Sequence, residues 1–371
     1  MNPLDLARPE IRALEPYSSA RMEARGGSVM LNANESPWPP FGCAENWNRY
    51  PDSQPAALVA RLASLYGVGV DQLLIGRGSD EGIDLLVRAF CTAGRDAILI
   101  SSPTFGMYAV CARIQGADVV DVPLRKDFSL DVDAVLTSVT PAVKLVFVCA
   151  PNNPAGAGVS RAATLRLAES LVDRALVVVD EAYIEFADPA GSFGSVANRI
   201  GMIPNLVVLR TLSKASALAG VRVGTLLADA RVVALLSKLM PPYPLPAPCA
   251  DIALKALSKE GERLAAERID TLRCERARMR DALTALGCVR EVLPSEANFL
   301  TVRLGDAGAA YAALLQAGVI VRDVRRYRRL EDALRITLGT PEQNDRVLDV
   351  LRALDGAGKI SSPAARAELP A

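Results

Sequence analysis

Leu206-Val207-Val208-Leu209-Arg210-Thr211-Leu212-Ser213-Lys214 is an apolar run that breaks into polar residues and ends on a lysine. Upstream, Leu176-Val177-Val178-Val179-Asp180-Glu181-Ala182-Tyr183 repeats the plan with an acid at the break. Two more runs do the same. Ala97-Ile98-Leu99-Ile100 leads into Ser101-Ser102-Pro103-Thr104-Phe105, and Leu145-Val146-Phe147-Val148 into Ala150-Pro151-Asn152-Asn153-Pro154. These runs are short, β-branched-rich and nearly continuous, the pattern of strands buried on both faces rather than half-exposed ones, which alternate. Helical patterns lie between them: Leu58 to Tyr66 is one, and Asp84 to Phe90 belongs to a second opened by Gly78-Ser79-Asp80-Glu81. The alternation predicts an α/β, doubly wound domain with a mostly parallel sheet. In such sheets ligands sit beyond the carboxyl ends of the strands, so four strand ends that break into polar residues point to one shared site.

Working outward, residues 1–30 read as a mixed, proline-bearing arm and 31–245 as the large domain. Pro241-Pro242-Tyr243-Pro244-Leu245-Pro246-Ala247-Pro248 reads as the hinge out of it. Residues 246–354 read as a smaller α+β domain. It has a long charged helix from about Ile252 to Leu286, strands at Phe299–Val302, Val319–Val321 and Leu334–Thr337, and a last helix near Glu342–Leu354. The Gly/Ser/Ala/Pro tail 355–371 is expected to be disordered.

Lysine plus arginine equals aspartate plus glutamate, 42 each, so no bulk charge invites nucleic acid or an anionic membrane. The one dense basic cluster, Arg325-Arg326-Tyr327-Arg328-Arg329, reads as a solvated loop or the rim of an anion site. Seven scattered cysteines without ligand-like spacing read as reduced thiols, and neither a signal peptide nor a membrane-length apolar run is visible. A cytoplasmic location is therefore expected. The chain has no histidine. Histidine triads and histidine metal sites are excluded, no metal is expected, and proton transfer falls to Lys, Tyr, Asp, Glu or Cys.

A lysine at the end of one strand and an acid at the end of another are what pyridoxal phosphate needs: an amine for the Schiff base and a carboxylate to keep the pyridine nitrogen protonated. Lys214 is the candidate amine. Ser213 and Arg222 flank it and suit a phosphate, which the planar arginine fork meets bidentately. Asp180 is the candidate carboxylate, although an aspartate there can equally cap a helix. Tyr183 and Asn153 can hydrogen-bond the cofactor ring, and Phe105 can stack on it or simply fill the core. Ser79 and Asp80 open a helix whose free N–H groups favour phosphate, but helix capping explains them as well.

Taken together these elements resemble the fold-type-I, class I/II aminotransferases, and among them the histidinol-phosphate aminotransferases. The resemblance runs from about Leu14 to Leu354. It rests on Glu15-Pro16-Tyr17-Ser18-Ser19-Ala20-Arg21, Leu31-Asn32-Ala33-Asn34-Glu35, Asn48-Arg49-Tyr50-Pro51, Gly76-Arg77-Gly78-Ser79-Asp80-Glu81, the Asp180 and Lys214 blocks, Pro242-Tyr243-Pro244-Leu245 and Leu334-Arg335-Ile336-Thr337. It implies transamination between L-histidinol phosphate and 2-oxoglutarate, giving glutamate, on a pyridoxal 5′-phosphate cofactor. Lys214 would be both Schiff-base lysine and proton carrier, with Asp180, Tyr183 and Asn153 on the ring and Ser79, Asp80, Ser213 and Arg222 on the phosphate. Tyr50 would reach in from the partner of a homodimer. Arg322 and Arg335 would hold the substrate's anionic end, with Tyr17, Asn34 and Asn298 close by. The chain departs from the family pattern at Ala155, where threonine is usual, and at Phe105, where tyrosine is common.

The two arginines would also serve an aromatic or broad-specificity aminotransferase, and a phosphothreonine decarboxylase is a more distant alternative on the same scaffold. A non-catalytic ligand-binding regulator usually carries a DNA-binding module, for which the N-terminal arm is too short.

Overall fold

A computed structural model describes residues 2–17, 29–42 and 47–356. Eleven strands form two sheets among these residues: β1 Leu73–Gly76, β2 Ala97–Ile100, β3 Asp118–Asp121, β4 Val143–Cys149, β5 Leu176–Asp180, β6 Leu206–Thr211, β7 Gly224–Leu227, β8 Val289–Val292, β9 Phe299–Leu304, β10 Arg322–Asp323 and β11 Ala333–Thr337. The larger sheet runs β1-β7-β6-β5-β4-β2-β3. The pairs from β6 through β5, β4 and β2 to β3 are parallel, and β7 is antiparallel to both its neighbours. The smaller sheet, β10-β11-β9-β8, is antiparallel throughout.

The helices are α1 Ala56–Tyr66, α2 Ser79–Phe90, α3 Met107–Gln115, α4 Val132–Ser138, α5 Arg161–Ser170, α6 Ala230–Ser237, α7 Ala247–Ala256, α8 Lys259–Thr284, α9 Ala307–Gln316 and α10 Pro341–Gly356. Cα–Cβ bonds alternate across a strand, so each central strand feeds two cores. Val177 and Val179 of β5 and Leu206 and Val208 of β6 enter one, while Leu176 and Val178 with Val207 and Leu209 enter the other. Full burial of each such side chain is worth roughly 1.5–3 kcal/mol. The smaller sheet has its own core of α8, α9 and α10 residues, including Met279, Leu314 and Leu348. No helix among the described residues is long and apolar enough to cross a membrane.

The four quoted runs are all strands. Two expectations fail. The segment 252–286 is two helices, because Ser258 caps α8, its Oγ accepting from Gly261 N–H at 3.2 Å, with Glu260 and Glu262 in the first turn. Residues 319–321 precede a strand rather than forming one. Gly318 ends α9 in the left-handed region (φ 73°), and Val319 N–H donates to Leu314 O at 2.8 Å, so it closes a helix instead of joining a ladder. The arm carries a short helix, Pro9–Arg12, and its Arg8 N–H donates to Ala89 O at 3.0 Å. The tail from 357 onward lies outside the described residues.

Candidate active site

Because β4, β5 and β6 are parallel and in register, with Cys149 opposite Asp180 and Asp180 opposite Leu209, the segments leaving them emerge at one edge. A cavity of about 140 Å³ opens there. Nine predicted residues line it: Asp180, Tyr183 and Asn153, then Ser213, Lys214 and Arg222, then Ser79, Asp80 and Phe105. Beneath it, Arg210 of β6 pairs with Glu181 (3.0 Å) and Glu185 (2.7 Å), locking the Lys214 segment to the Asp180 segment.

Asp180 is 4% exposed. Its Oδ2 accepts from the Tyr108 hydroxyl at 2.7 Å and its Oδ1 from Ala182 N–H at 3.1 Å. No cation pairs with it among the described residues, and burial pushes its carboxyl up to about 6 against the hydrogen bonds that lower it. Lys214 is shifted the other way. Burial first, then the Arg335 charge, lowers its pKa, which favours the free amine. Its Nζ lies 5.6 Å from the centre of the Tyr183 ring. The Tyr183 hydroxyl accepts from Asn153 Nδ2 at 3.3 Å, and burial raises its own pKa.

At the opposite wall the chain makes a close-fitting cradle. Gly78 sits at φ 86°, ψ 167°, a conformation open to glycine, and a Cβ there would lie 2.4 Å from Arg222 Nη2. A Cβ on Gly224 would lie 2.2 Å from the Ser79 nitrogen. Two glycines thus let the amino end of α2 meet Arg222, itself in the left-handed region at φ 60°. Arg222 reaches Ser213 Oγ (3.4 Å) and Asp80 Oδ2 (3.5 Å), both long contacts on a half-exposed guanidinium. Free helix N–H groups, a hydroxyl and a guanidinium on one spot match a phosphate. The buried carboxylate without a cation matches a protonated ring nitrogen. The residues present therefore fit pyridoxal phosphate.

Arg335 of β11 donates through Nη1 to Asn153 Oδ1 and lies 5.0 Å from the centre of the Phe299 ring. Arg322 stands directly opposite it in the β10–β11 ladder, so the two guanidinium groups share a face. Burial and then, among the depressing charges, Arg322 lower the pKa of Arg335. Asn298 precedes Phe299, and its carbonyl accepts from Leu338 N–H at 2.9 Å. In the basic cluster, Arg325 pairs with Asp323 at 2.7 Å and Arg329 donates to Leu124 O at 2.6 Å.

Arg335, Arg322 and Asn298 do not line the cavity itself, and neither do the remaining three predicted residues. Tyr50 and Asn34 border a separate hollow beside Trp47 and Pro246, with the Tyr50 ring stacked on Tyr243 at 4.3 Å. Tyr17 borders another, with Pro242 and Pro244, and is 71% exposed. Residues 18–21 of its block lie outside the described residues. Sequence reasoning missed Tyr108, Cys149 and Thr211. Thr211 Oγ1 accepts from Ser213 N–H at 3.1 Å and, like Cys149, lines the cavity. Thr211 lies within a quoted motif and Cys149 and Tyr108 just beside one, which was the available signal.

Residues 27–351 match the aminotransferase class I and II family. The chain is 52% identical over 354 residues to a histidinol-phosphate aminotransferase of Xanthomonas euvesicatoria pv. vesicatoria, covering 94% of this chain and 96% of that one. It is 51% identical to a histidinol-phosphate aminotransferase of Xylella fastidiosa, covering 94% and 96%. Among solved structures, it resembles a histidinol-phosphate aminotransferase from Sinorhizobium meliloti in complex with pyridoxal-5′-phosphate. The TM-score is 0.76, the identity 23%, and the shares covered 94% and 97%. At that identity the likeness speaks for the fold, and the 52% relatives carry the kinship. The chain belongs to the aminotransferase class I and II family and, within it, to the histidinol-phosphate aminotransferases.

Proposed function

We propose that this protein transfers the amino group of L-histidinol phosphate to 2-oxoglutarate, using pyridoxal 5′-phosphate and yielding imidazole acetol phosphate and L-glutamate in histidine biosynthesis. The observation that carries this reading is the convergence of Asp180, Lys214 and Arg222 on one cavity from three strand ends. Bound pyridoxal phosphate supplies an electron sink for the charge that develops at the substrate α-carbon.

The chain's residues supply the rest. Arg222, Ser213 and the N–H groups of Ser79 and Asp80 hold the phosphate. Asp180 would keep a proton on the ring nitrogen, and with no cation beside it among the described residues its charge is free for that purpose. Asn153 and Tyr183 orient the ring oxygen side, while Phe105 bounds one face with the aromatic surface but not the hydroxyl of a tyrosine. Lys214 Nζ, with its pKa lowered, takes the proton from the substrate α-carbon. Arg335 and Arg322 bind the anionic end, a phosphate in one half-reaction and a carboxylate in the other, with Asn298 at the edge.

The working unit is a homodimer in which Tyr50, Asn34 and Tyr17 complete the partner's site. Their placement off this chain's own cavity supports that, as do the exposed side chains of Leu31, Trp38 and Phe41 in the same segment. Residues 31–245 form the large domain and 246–354 the small one, and the enzyme acts in the cytoplasm with reduced cysteines.

A steady-state assay with 2-oxoglutarate tests the reading by comparing kcat/KM for L-histidinol phosphate and L-phenylalanine. Preference for histidinol phosphate by orders of magnitude is expected. Comparable values would make the protein a broad aromatic aminotransferase, and turnover of neither would discard both substrates.

A further inference from the structure

We propose that Tyr108 is a positioning residue for the reaction: its hydroxyl aims Asp180 and its ring seats Phe105, so one buried side chain sets two walls of the cavity. The inference rests on the function proposed above. Tyr108 has no exposed surface, and its ring stacks on Phe147 of β4 at 4.6 Å and 12°. The central sheet therefore fixes where the hydroxyl lies, which a residue on a loop would not achieve. From there the hydroxyl donates to Asp180 Oδ2 at 2.7 Å. The Tyr108 and Phe105 rings meet edge to face, with centres 5.6 Å apart and planes at 81°. Phe105 lines the cavity, whereas Tyr108 does not.

The Asp180 carboxylate receives just two hydrogen bonds among the described residues. The other comes from Ala182 N–H, two residues along its own chain, so it cannot orient the carboxylate relative to the rest of the site. Tyr108 is the contact that does. Burial, then the Asp180 charge, raises the tyrosine's pKa, so it stays a donor throughout the working range. The other groups around Asp180 are accounted for. Burial pushes the Cys149 thiol up to about 12, Glu181 is neutralised by Arg210, and Asp80 faces Arg222. Lys214 and Tyr183 stand across the cavity. The titration of Asp180 is thus set mainly by burial, which raises it, and by Tyr108, which lowers it.

The test uses full-length protein in three forms: wild type, Tyr108→Phe, and wild type carrying 3-fluorotyrosine at position 108. The fluorinated phenol is the more acidic and the stronger donor. The ¹³C carboxyl titration of Asp180 is followed in cofactor-free protein, assigned by its loss in Asp180→Asn, alongside kcat and KM with cofactor. The Asp180 midpoint is expected to move up in Tyr108→Phe and down with fluorotyrosine. In Tyr108→Phe, kcat should fall roughly ten- to hundredfold, the effect of losing one hydrogen bond to a charged group, with KM nearly unchanged. In an Asp180→Asn background the same substitution should have little further effect. An unmoved midpoint in both proteins, or an equal loss of kcat without Asp180, would overturn the proposal. If Tyr108→Phe does not fold, the direction of the fluorotyrosine shift decides alone. Failure of the proposed function shows separately, as wild-type protein that binds no pyridoxal phosphate although the midpoints move as expected.

Discussion

Replacing Asp180 with asparagine should have opposite effects on the empty and the loaded protein. In the cofactor-free protein the carboxylate is buried with no cation beside it among the described residues, and burial lifts its pKa from an ordinary 3.8 to about 6. The folded pKa is the higher one, so the group's contribution to stability is fully present below about pH 4 and is lost as the pH rises through about 6. A difference of about 2 units corresponds to about 3 kcal/mol of penalty on the alkaline side. Asparagine has nearly the same shape and no titration. Its amide can still meet Tyr108, whose hydroxyl turns to accept, and Ala182 N–H can keep the oxygen. The unfolding free energy of apo Asp180→Asn should therefore gain on wild type by about 3 kcal/mol between pH 4 and pH 8. In the loaded enzyme the same change removes one partner of a buried charge pair. Two unit charges about 4 Å apart interact by about 4 kcal/mol at an effective dielectric of about 20, so kcat should drop about a thousandfold. Denaturant unfolding of the apo proteins at both pH values, with kcat of the reconstituted ones, measures both. A stability difference that does not change with pH, or a kcat within tenfold of wild type, would refute the reasoning.

Lys214→Ala should abolish turnover while pyridoxal phosphate still binds through Arg222, Ser213 and the α2 N–H groups; sustained turnover would remove the lysine from its role. Gly224→Ala would drive a Cβ to 2.2 Å from the Ser79 nitrogen, so cofactor affinity should fall at least tenfold by equilibrium dialysis, and an unchanged Kd would show that the cradle is not the phosphate site. Mixing Tyr50→Phe with Lys214→Ala under conditions of subunit exchange should restore activity above that of either variant alone, and no gain with exchange confirmed would place Tyr50 outside the partner's site. Arg276→Met should lower Tm by several degrees, because Arg276 donates at 2.9 Å to both Phe186 O and Ala297 O, and its loss strips the bond from Ala297 O and leaves Phe186 O with only the longer 3.4 Å contact from Arg273; an unchanged Tm would count against that strap.

Much of this architecture is written in local chemistry. A buried parallel strand needs apolar residues on both faces, so β2, β4, β5 and β6 announce themselves as continuous runs. Strand ends that carry function must break into polar residues, and that exposed Lys214, Asp180 and Asn153. Strands β1, β3, β7 and β8 are four residues each. β2 is as short, but its four residues are all apolar, whereas glycine cuts into β1 and β7, Arg290 and Glu291 interrupt β8, and β3 is a half-exposed edge bounded by Asp118 and Asp121. The break at Ser258 was legible as a cap before two acids, but the charged pattern on either side masked it.

The sequence by itself determined the fold class, the cofactor chemistry and the residues that approach it, because strand burial, glycine placement and the choice of lysine and aspartate are properties of short segments. Only the tertiary structure decided the relations between distant segments. It set the Tyr108 hydroxyl on Asp180 across 72 positions and Arg335 on Asn153 across 182. It brought Arg222 under Gly78, and it left Tyr17, Asn34 and Tyr50 off the cavity of their own chain. The physical reason is that hydrogen bonds and desolvation act over a few ångströms. Whether an aspartate caps a helix or waits without a cation for a ring nitrogen depends on what packing brings within that reach.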